Sequence, residues 1–214
     1  MTPSYDIIIR VPTRHDNTSG RPLYPSRADV LDAAESLLEQ HGAEGLSMRR
    51  IAAGLGTSYQ VVYSRIGGKP QLVRALHAEG FRRLAEAVED LTADPRTNDY
   101  LVEMGQGYLR AAAAHPELFD VMFGTPVAEF ARDATAKRVE WEGFERSWVK
   151  GCRVWLDAHV DPRPRGASVR LAWRLWTAVH GITVLHLAGH DSPSGDVDAE
   201  IDSVIRLLLT KPLA

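Results

Sequence analysis

The stretch S-M-R-R-I-A-A-G-L-G-T-S-Y-Q-V-V-Y-S-R-I-G-G-K-P-Q-L, Ser47 to Leu72, decides how this chain is read. It contains two short helical patterns joined by a tight turn. Ser47 is placed to cap the first, and Met48, Ile51, Ala52 and Leu55 form its inner face. Gly56 supplies the turn, because glycine alone takes left-handed backbone without steric cost. Ser58 is placed to cap a second helix that runs to about Ile66, with Val62 and Ile66 inward, and Gly67-Gly68 breaks it. Between Glu44 and Glu79 there is no acidic side chain, while Arg49, Arg50, Arg65, Lys69 and Arg74 continue. In a chain whose net charge is -3, a local run of cations without anions is a placed feature suited to phosphate.

Two short helices around a glycine turn predict a helix-turn-helix, whose second helix lays its N-terminal half against base edges in a major groove. Here that half presents Tyr59, Gln60 and Val61 to the bases. Gln60 can pair in bidentate fashion with adenine, and Val61 offers methyl surface to thymine. Ser47, Ser58, Tyr63, Ser64 and Lys69 are the expected phosphate contacts, since free backbone N–H groups at helix starts already favour an anion. The competing reading is that the two tyrosines pack inward and the cations form a solvated face.

Outward from this stretch the chain reads as all-α. Ser26, with Asp29 three residues on, opens a helix that Gly42 ends, with Val30, Leu31, Ala34, Leu37 and Leu38 on its buried face. A long helix starts near Lys69, with Pro70 in its first turn. Further helices are expected at about Tyr100 to His115, Pro116 to Phe123, Val127 through His159 with an interruption, Ser168 to Ala188 and Val197 to Thr210. No segment alternates with period two, so no strand is expected beyond a weak chance at Ile7 to Val11. The expected divisions are a flexible N-terminal arm over 1–25, a DNA-binding domain over 26–72 and a ligand-binding and dimerisation domain over 73–214. Arg10, Arg14 and Arg21 give the arm a basic character compatible with a DNA groove.

Composition removes several classes. Hydrophobic residues are 44% and charged residues 25% of the 214, as in ordinary globular domains. No apolar run approaches the roughly 18 residues that span a bilayer, and the N-terminus lacks the parts of a secretory signal. The single cysteine, Cys152, excludes an internal disulfide and a multi-cysteine metal site. A cytoplasmic protein without membrane or cofactor is expected. His186 and His190 near Asp191 fall short of a zinc ligand set. No nucleophile elbow, metalloprotease helix or phosphate loop appears, so catalysis is not expected. The alternative to a DNA-binding regulator is a helical protein-interaction module that does not touch DNA.

Ser47, Ile51-Ala52, Gly56, Ser58, Tyr63, Ile66, Lys69 and Leu72, at ungapped spacing, resemble the N-terminal DNA-binding domain of TetR-family transcriptional regulators. The resemblance covers about Ser26 to Leu76. It departs at Val61, at Arg65 and Ile66, and at Gly67-Gly68. In the C-terminal half, L-W-T-A-V-H-G, with Trp176, His180 and Gly181, resembles the branch named for its Trp, His and Gly, as does H-P-E-L-F-D-V-M-F-G. The resemblance implies a repressor, a pseudo-palindromic DNA operator and a homodimer formed through the last two helices.

All five tryptophans fall between Trp141 and Trp176. Trp141, Trp148 and Trp155 are seven apart and are expected on one helical stripe with Phe144 and Cys152. The plain reading is a core stripe. The sharper one is an apolar cavity for a small apolar or aromatic effector, lined by Met104, Tyr108, Phe119, Phe123, Phe144, Trp148, Trp176 and His180. His180 is more often a satisfied core histidine than a ligand contact.

Overall fold

The computed structural model describes residues 24–89, 91–124, 132–162, 164–190 and 192–210. Every regular element among them is helical: α1 (Arg27–His41), a 3-10 turn (Ala43–Gly45), α2 (Met48–Gly54), α3 (Tyr59–Ile66), α4 (Lys69–Glu86), α5 (Asp99–Ala114), α6 (Pro116–Phe123), α7 (Ala134–Phe144), a π turn (Glu145–Val149), α8 (Lys150–His159), α9 (Ala167–Leu187) and α10 (Val197–Leu209). The all-α expectation holds. The expected arm lies, except for Tyr24 and Pro25, outside the described residues. So does the expected helix start at Val127; the described helix there begins at Ala134, where the Asp133 carboxylate accepts from the N–H groups of Thr135 and Ala136 at 3.0 Å each. Among the described residues no helix is long and apolar enough to cross a membrane.

The chain divides into two compact units, Met1–Ala78 with Glu117–Arg132, and Glu79–Pro116 with Asp133–Ala214. The first is built on α1. Its start is closed reciprocally: the Asp29 N–H donates to Ser26 Oγ at 3.1 Å and the Ser26 N–H donates to Asp29 Oδ2 at 2.7 Å. Gly42, at φ 64°, ends it with its N–H on the Leu38 carbonyl. Val30, Leu37, Ile51, Val62, Leu72 and Leu76 are completely buried around this helix, and Leu118 and Val121 of α6 join the cluster. Each such aliphatic side chain contributes about 1.5–3 kcal/mol on leaving water.

In the second unit α5, α8, α9 and α10 pack together. Small residues set how closely. A Cβ built on Gly105 would meet Ile205 Cδ1 at 2.7 Å and Ile201 Cγ2 at 2.9 Å, and one on Gly151 would meet Met104 Sδ at 2.5 Å. The loop before α5 is held by one carboxylate. Glu103 accepts from the N–H of Ala93 at 2.8 Å, from the N–H of Thr92 at 3.0 Å and from the Thr92 hydroxyl at 2.9 Å. Burial alone pushes the Glu103 carboxyl up, but these donors and Arg110 outweigh it, and the net shift is downward. A lowered folded-state pKa stabilises above the unfolded carboxyl value of about 4.3 and loses that contribution as pH falls through the folded value. Replacing Glu103 by Ala is therefore expected to cost about 1–2 kcal/mol at pH 7 and much less near pH 3. Urea melts at the two pH values check it; an equal cost at both would show that the carboxylate does not hold the loop.

The single aromatic stripe expected from Trp141, Trp148 and Trp155 is not found. Trp148 and Trp155 are buried at 1% and 7% exposure, but Trp141 is 49% exposed. The reason is the π turn, in which the Lys150 N–H reaches back to the Glu145 carbonyl. One residue too many in that turn changes the facing of everything after it. Ser47 also differs from expectation: it stands at the α2 N-cap with extended backbone, but its side chain makes no capping bond.

Candidate nucleic-acid interface and aromatic site

The turn between α2 and α3 is fixed by backbone. Gly56 has φ 60°, its N–H donates to the Ala53 carbonyl at 3.1 Å, and the Thr57 N–H donates to the Ala52 carbonyl at 2.9 Å. Ser58 then caps α3, with its hydroxyl accepting from the Val61 N–H at a long 3.4 Å. Val62 and Ile66 face the core. The helix therefore turns its remaining positions outward. Gln60 is exposed and Val61 half-buried. Tyr59 and Tyr63 are 42% and 50% exposed, their rings 6.0 Å apart and 25° from parallel. They form an outer stack rather than core.

The expected phosphate contacts flank this face. Ser64 is exposed, but its hydroxyl donates to the Val61 carbonyl at 2.7 Å, so a phosphate contact requires that bond to break. Ser47 and Lys69 are half-buried at the starts of α2 and α4. At the α4 start the Gly68 N–H donates to Gln71 Oε1 at 3.0 Å, which satisfies one of the free donors there. Arg49 and Arg50 are exposed on α2. Arg65 has a second task that sequence reasoning missed. Its Nε donates to the Pro25 carbonyl at 3.0 Å, tying the backbone just before α1 to the end of α3. Nothing in the local pattern signals this contact, which spans forty residues.

In the second unit, Met104, Tyr108 and Trp148 are buried at 0–1% exposure. Tyr108 of α5 is the hub. The Trp176 Nε1–H donates to its hydroxyl at 3.3 Å, and the hydroxyl lies 2.9 Å from His180 Nδ1. Indole can only donate, so the Tyr108 oxygen accepts from Trp176. Burial lowers the His180 pKa, keeping the ring neutral at physiological pH, and pushes the Tyr108 phenol up. Around the hub run ring contacts: Tyr108–Trp148 at 5.5 Å, Trp176–His180 at 5.4 Å and Phe144–Trp176 at 5.5 Å. Trp173 and Trp141, absent from the expected pocket set, extend the series to the surface, at 5.3 Å from Trp176 and 5.7 Å from Phe144. Their three-residue spacing from Trp176 and Phe144 was the available signal. Phe119 and Phe123, expected in the same set, belong to the first unit, where their rings lie 4.9 Å apart.

A short helix, a glycine turn and a second helix with its N-terminal half in solvent define a helix-turn-helix protein. Residues 30–76 match the family model described as bacterial regulatory proteins, tetR family, and residues 101–208 match that of the tetracyclin repressor-like C-terminal domain. The chain belongs to the TetR family of transcriptional regulators. It is 28% identical over 137 residues to the HTH-type transcriptional repressor AcnR of Corynebacterium glutamicum, covering 64% of this chain and 66% of that one. The chain thus spans just under two thirds of that relative's length. An uncharacterized HTH-type transcriptional regulator of Mycobacterium bovis, Mb1581, is 26% identical over 196 residues, 91% of this chain and 93% of that one. Among solved structures, a protein of unknown function from Rhodococcus sp. RHA1 superposes with TM-score 0.68 at 26% identity, over 89% of this chain and 98% of that chain. A TetR-family regulator from Streptomyces coelicolor shares the fold, with TM-score 0.66 at 18% identity, over 86% and 82% of the two chains.

Proposed function

We propose that this chain is a repressor that binds a pseudo-palindromic operator as a homodimer and leaves it when a small apolar or aromatic effector binds the second unit. The observation that carries the DNA reading is α3. It faces solvent with Tyr59 and Gln60 in the longest stretch of the sequence without an acidic residue, which carries five cations. Dimerisation is supported by large apolar side chains in solvent on the last two helices: Val184 and Leu185 of α9 and Leu207 of α10 are 42%, 55% and 59% exposed. Two-fold pairing would supply two recognition helices for two half-sites. The repressor sense rests on the AcnR relatives. The affiliation with the Trp-His-Gly branch rests on Trp176, His180 and Gly181 of α9. For the effector we assign Met104, Tyr108, Phe144, Trp148, Trp176 and His180. The effector acts only by distinguishing two states of different operator affinity.

Titrating the chain onto a labelled fragment of its own promoter region, across a range of salt, tests the DNA reading. A salt-dependent, sequence-selective complex is expected. Gln60→Ala is expected to lose about 1–3 kcal/mol of discrimination against a changed base pair, with binding to random DNA nearly unaltered. Lys69→Ala is expected to weaken both equally and to reduce the salt slope by about 1. Identical responses of specific and random DNA to both substitutions would overturn these roles. No complex at all would favour a protein-interaction module.

A further inference from the structure

Trp173 stands out from α9 into solvent. It is 55% exposed, yet its ring is set against Phe144 at 6.0 Å and Trp176 at 5.3 Å, so packing fixes its direction. A large aromatic side chain ordered in advance loses little freedom on binding and makes a strong interface anchor when a pocket receives it. About 20 Å farther along the same helix, at 1.5 Å per residue from Trp173 to His186, the surface opens into a groove where α9 ends and α10 begins. Its volume is about 160 Å³, and its walls include Ile182, Leu185, His186, Pro193, Val197 and Glu200. That is smaller than the roughly 300–1,000 Å³ of small-molecule sites and suits a single side chain.

Knob and groove lie at opposite ends of α9, on either side of an exposed turn at Thr177 and Gly181. They also lie on opposite sides of its exposed face. Trp173 is on the α7 side, against Phe144, and the groove is on the α10 side. A two-fold axis perpendicular to the helix at that turn exchanges both the ends and the sides. It therefore brings the Trp173 of each copy over the groove of the other, as a self-complementary interface requires. Charge agrees with this crossing. Arg165 and Arg170 are exposed around the α9 start, while Asp196, Asp198 and Glu200 stand around the α10 start beside the groove, so opposite charges meet. From this geometry we infer that Trp173 of one copy fills the α9–α10 groove of a second copy, with the two α9 helices antiparallel across Thr177 and Gly181. The inference rests on the homodimer reading and gives it an anchor and a register.

Fluorescence-detected sedimentation of the full chain tests it. Trp173→Ala is expected to weaken dimerisation at least about a hundredfold, since two symmetric insertions of about tenfold each are lost together. Trp141→Ala, which removes the other exposed indole, is expected to change nothing. Val197→Trp fills the groove from within and should weaken the dimer similarly. A mixture of the Trp173→Ala and Val197→Trp chains should then associate at least about tenfold more tightly than either alone, because one native insertion is restored and the filled groove faces an alanine. Should either variant fail to fold by circular dichroism, photo-cross-linking from p-benzoylphenylalanine in place of Trp173 decides: it should join two chains, with the attachment in residues 182–200 of the copy. A native dimer that survives Trp173→Ala unchanged, a mixture no tighter than its parts, or cross-links elsewhere would overturn the anchor and leave the homodimer reading standing. A native chain that stays monomeric at every concentration would overturn both.

Discussion

Leu37→Ala is expected to weaken operator binding by destabilising the first unit. Leu37 has no exposed surface, sits in the middle of α1, and belongs to the cluster that also contains Leu46, Ile51, Val62, Leu72 and Leu76. Truncating a buried leucine removes its transfer free energy and leaves a cavity, together about 2–5 kcal/mol. Small domains have only about 5–15 kcal/mol of stability in total. The loss therefore removes a large share of that margin and lowers the denaturation midpoint of the first unit. The exposed face of α3 depends on the inner one: Val62 and Ile66 hold Tyr59 and Gln60 outward only while the cluster stands. Urea denaturation and DNA titration on one preparation check both halves of the claim. Leu37→Met, which preserves volume, is expected to cost less than about 1.5 kcal/mol and to retain binding. A Leu37→Ala protein that melts like the native chain would show that the cluster does not carry the head.

Gly105→Val is expected to damage the second unit strongly. A Cβ at this position already lies 2.7 Å from Ile205 Cδ1, 2.9 Å from Ile201 Cγ2 and 3.4 Å from Val179 Cγ2. Ile205 can swing its end aside, but the Ile201 methyl sits on a branched Cβ with little freedom. Valine adds two more methyl groups to a space where α5 meets α9 and α10. We expect a loss of about 3 kcal/mol, or roughly 6–12 °C in Tm. Gly181→Val is the control, because a Cβ on that residue meets nothing within 4 Å; it should cost little or nothing, since valine is no worse a helix former than glycine. Because α9 and α10 also carry the exposed Val184, Leu185 and Leu207, Gly105→Val is further expected to lower the fraction of dimer in sedimentation. Equal melts for the two variants would show that α5 and α10 have slack between them.

Much of this was open to reading in the sequence, for local reasons. Caps and turns are written in adjacent residues. Ser26 with Asp29, Gly42, Gly56 and Ser58 each do within a few residues what their chemistry favours, and the helices between them follow the 3.6-residue period. The outward side of α3 follows from the same arithmetic, since Val62 and Ile66 fix which side is inner. What was not legible is long-range or depends on one hydrogen bond. The Arg65 contact to Pro25 and the Glu103 clasp on the loop at Thr92 and Ala93 join segments that no periodic pattern links. Ser47 has the right residue type and backbone for a cap but no capping bond, so identity alone overstated its role there. The tryptophan stripe failed because the spacing of seven assumes an uninterrupted α-helix, and propensity gives no warning of a π turn.

The π turn has a geometric consequence for the run from Ala134 to His159. Seven residues of α-helix turn through about 700°, twenty short of two full revolutions. Without a break, Trp141 and Trp148 would point in nearly the same compass direction, and both would face solvent or both face the interior. The single loosened revolution at Glu145–Val149 acts as a vernier between two dials. It lets one helical rod aim its first tryptophan at the surrounding water and its second at the middle of the bundle, without a loop and without losing continuity of backbone hydrogen bonding.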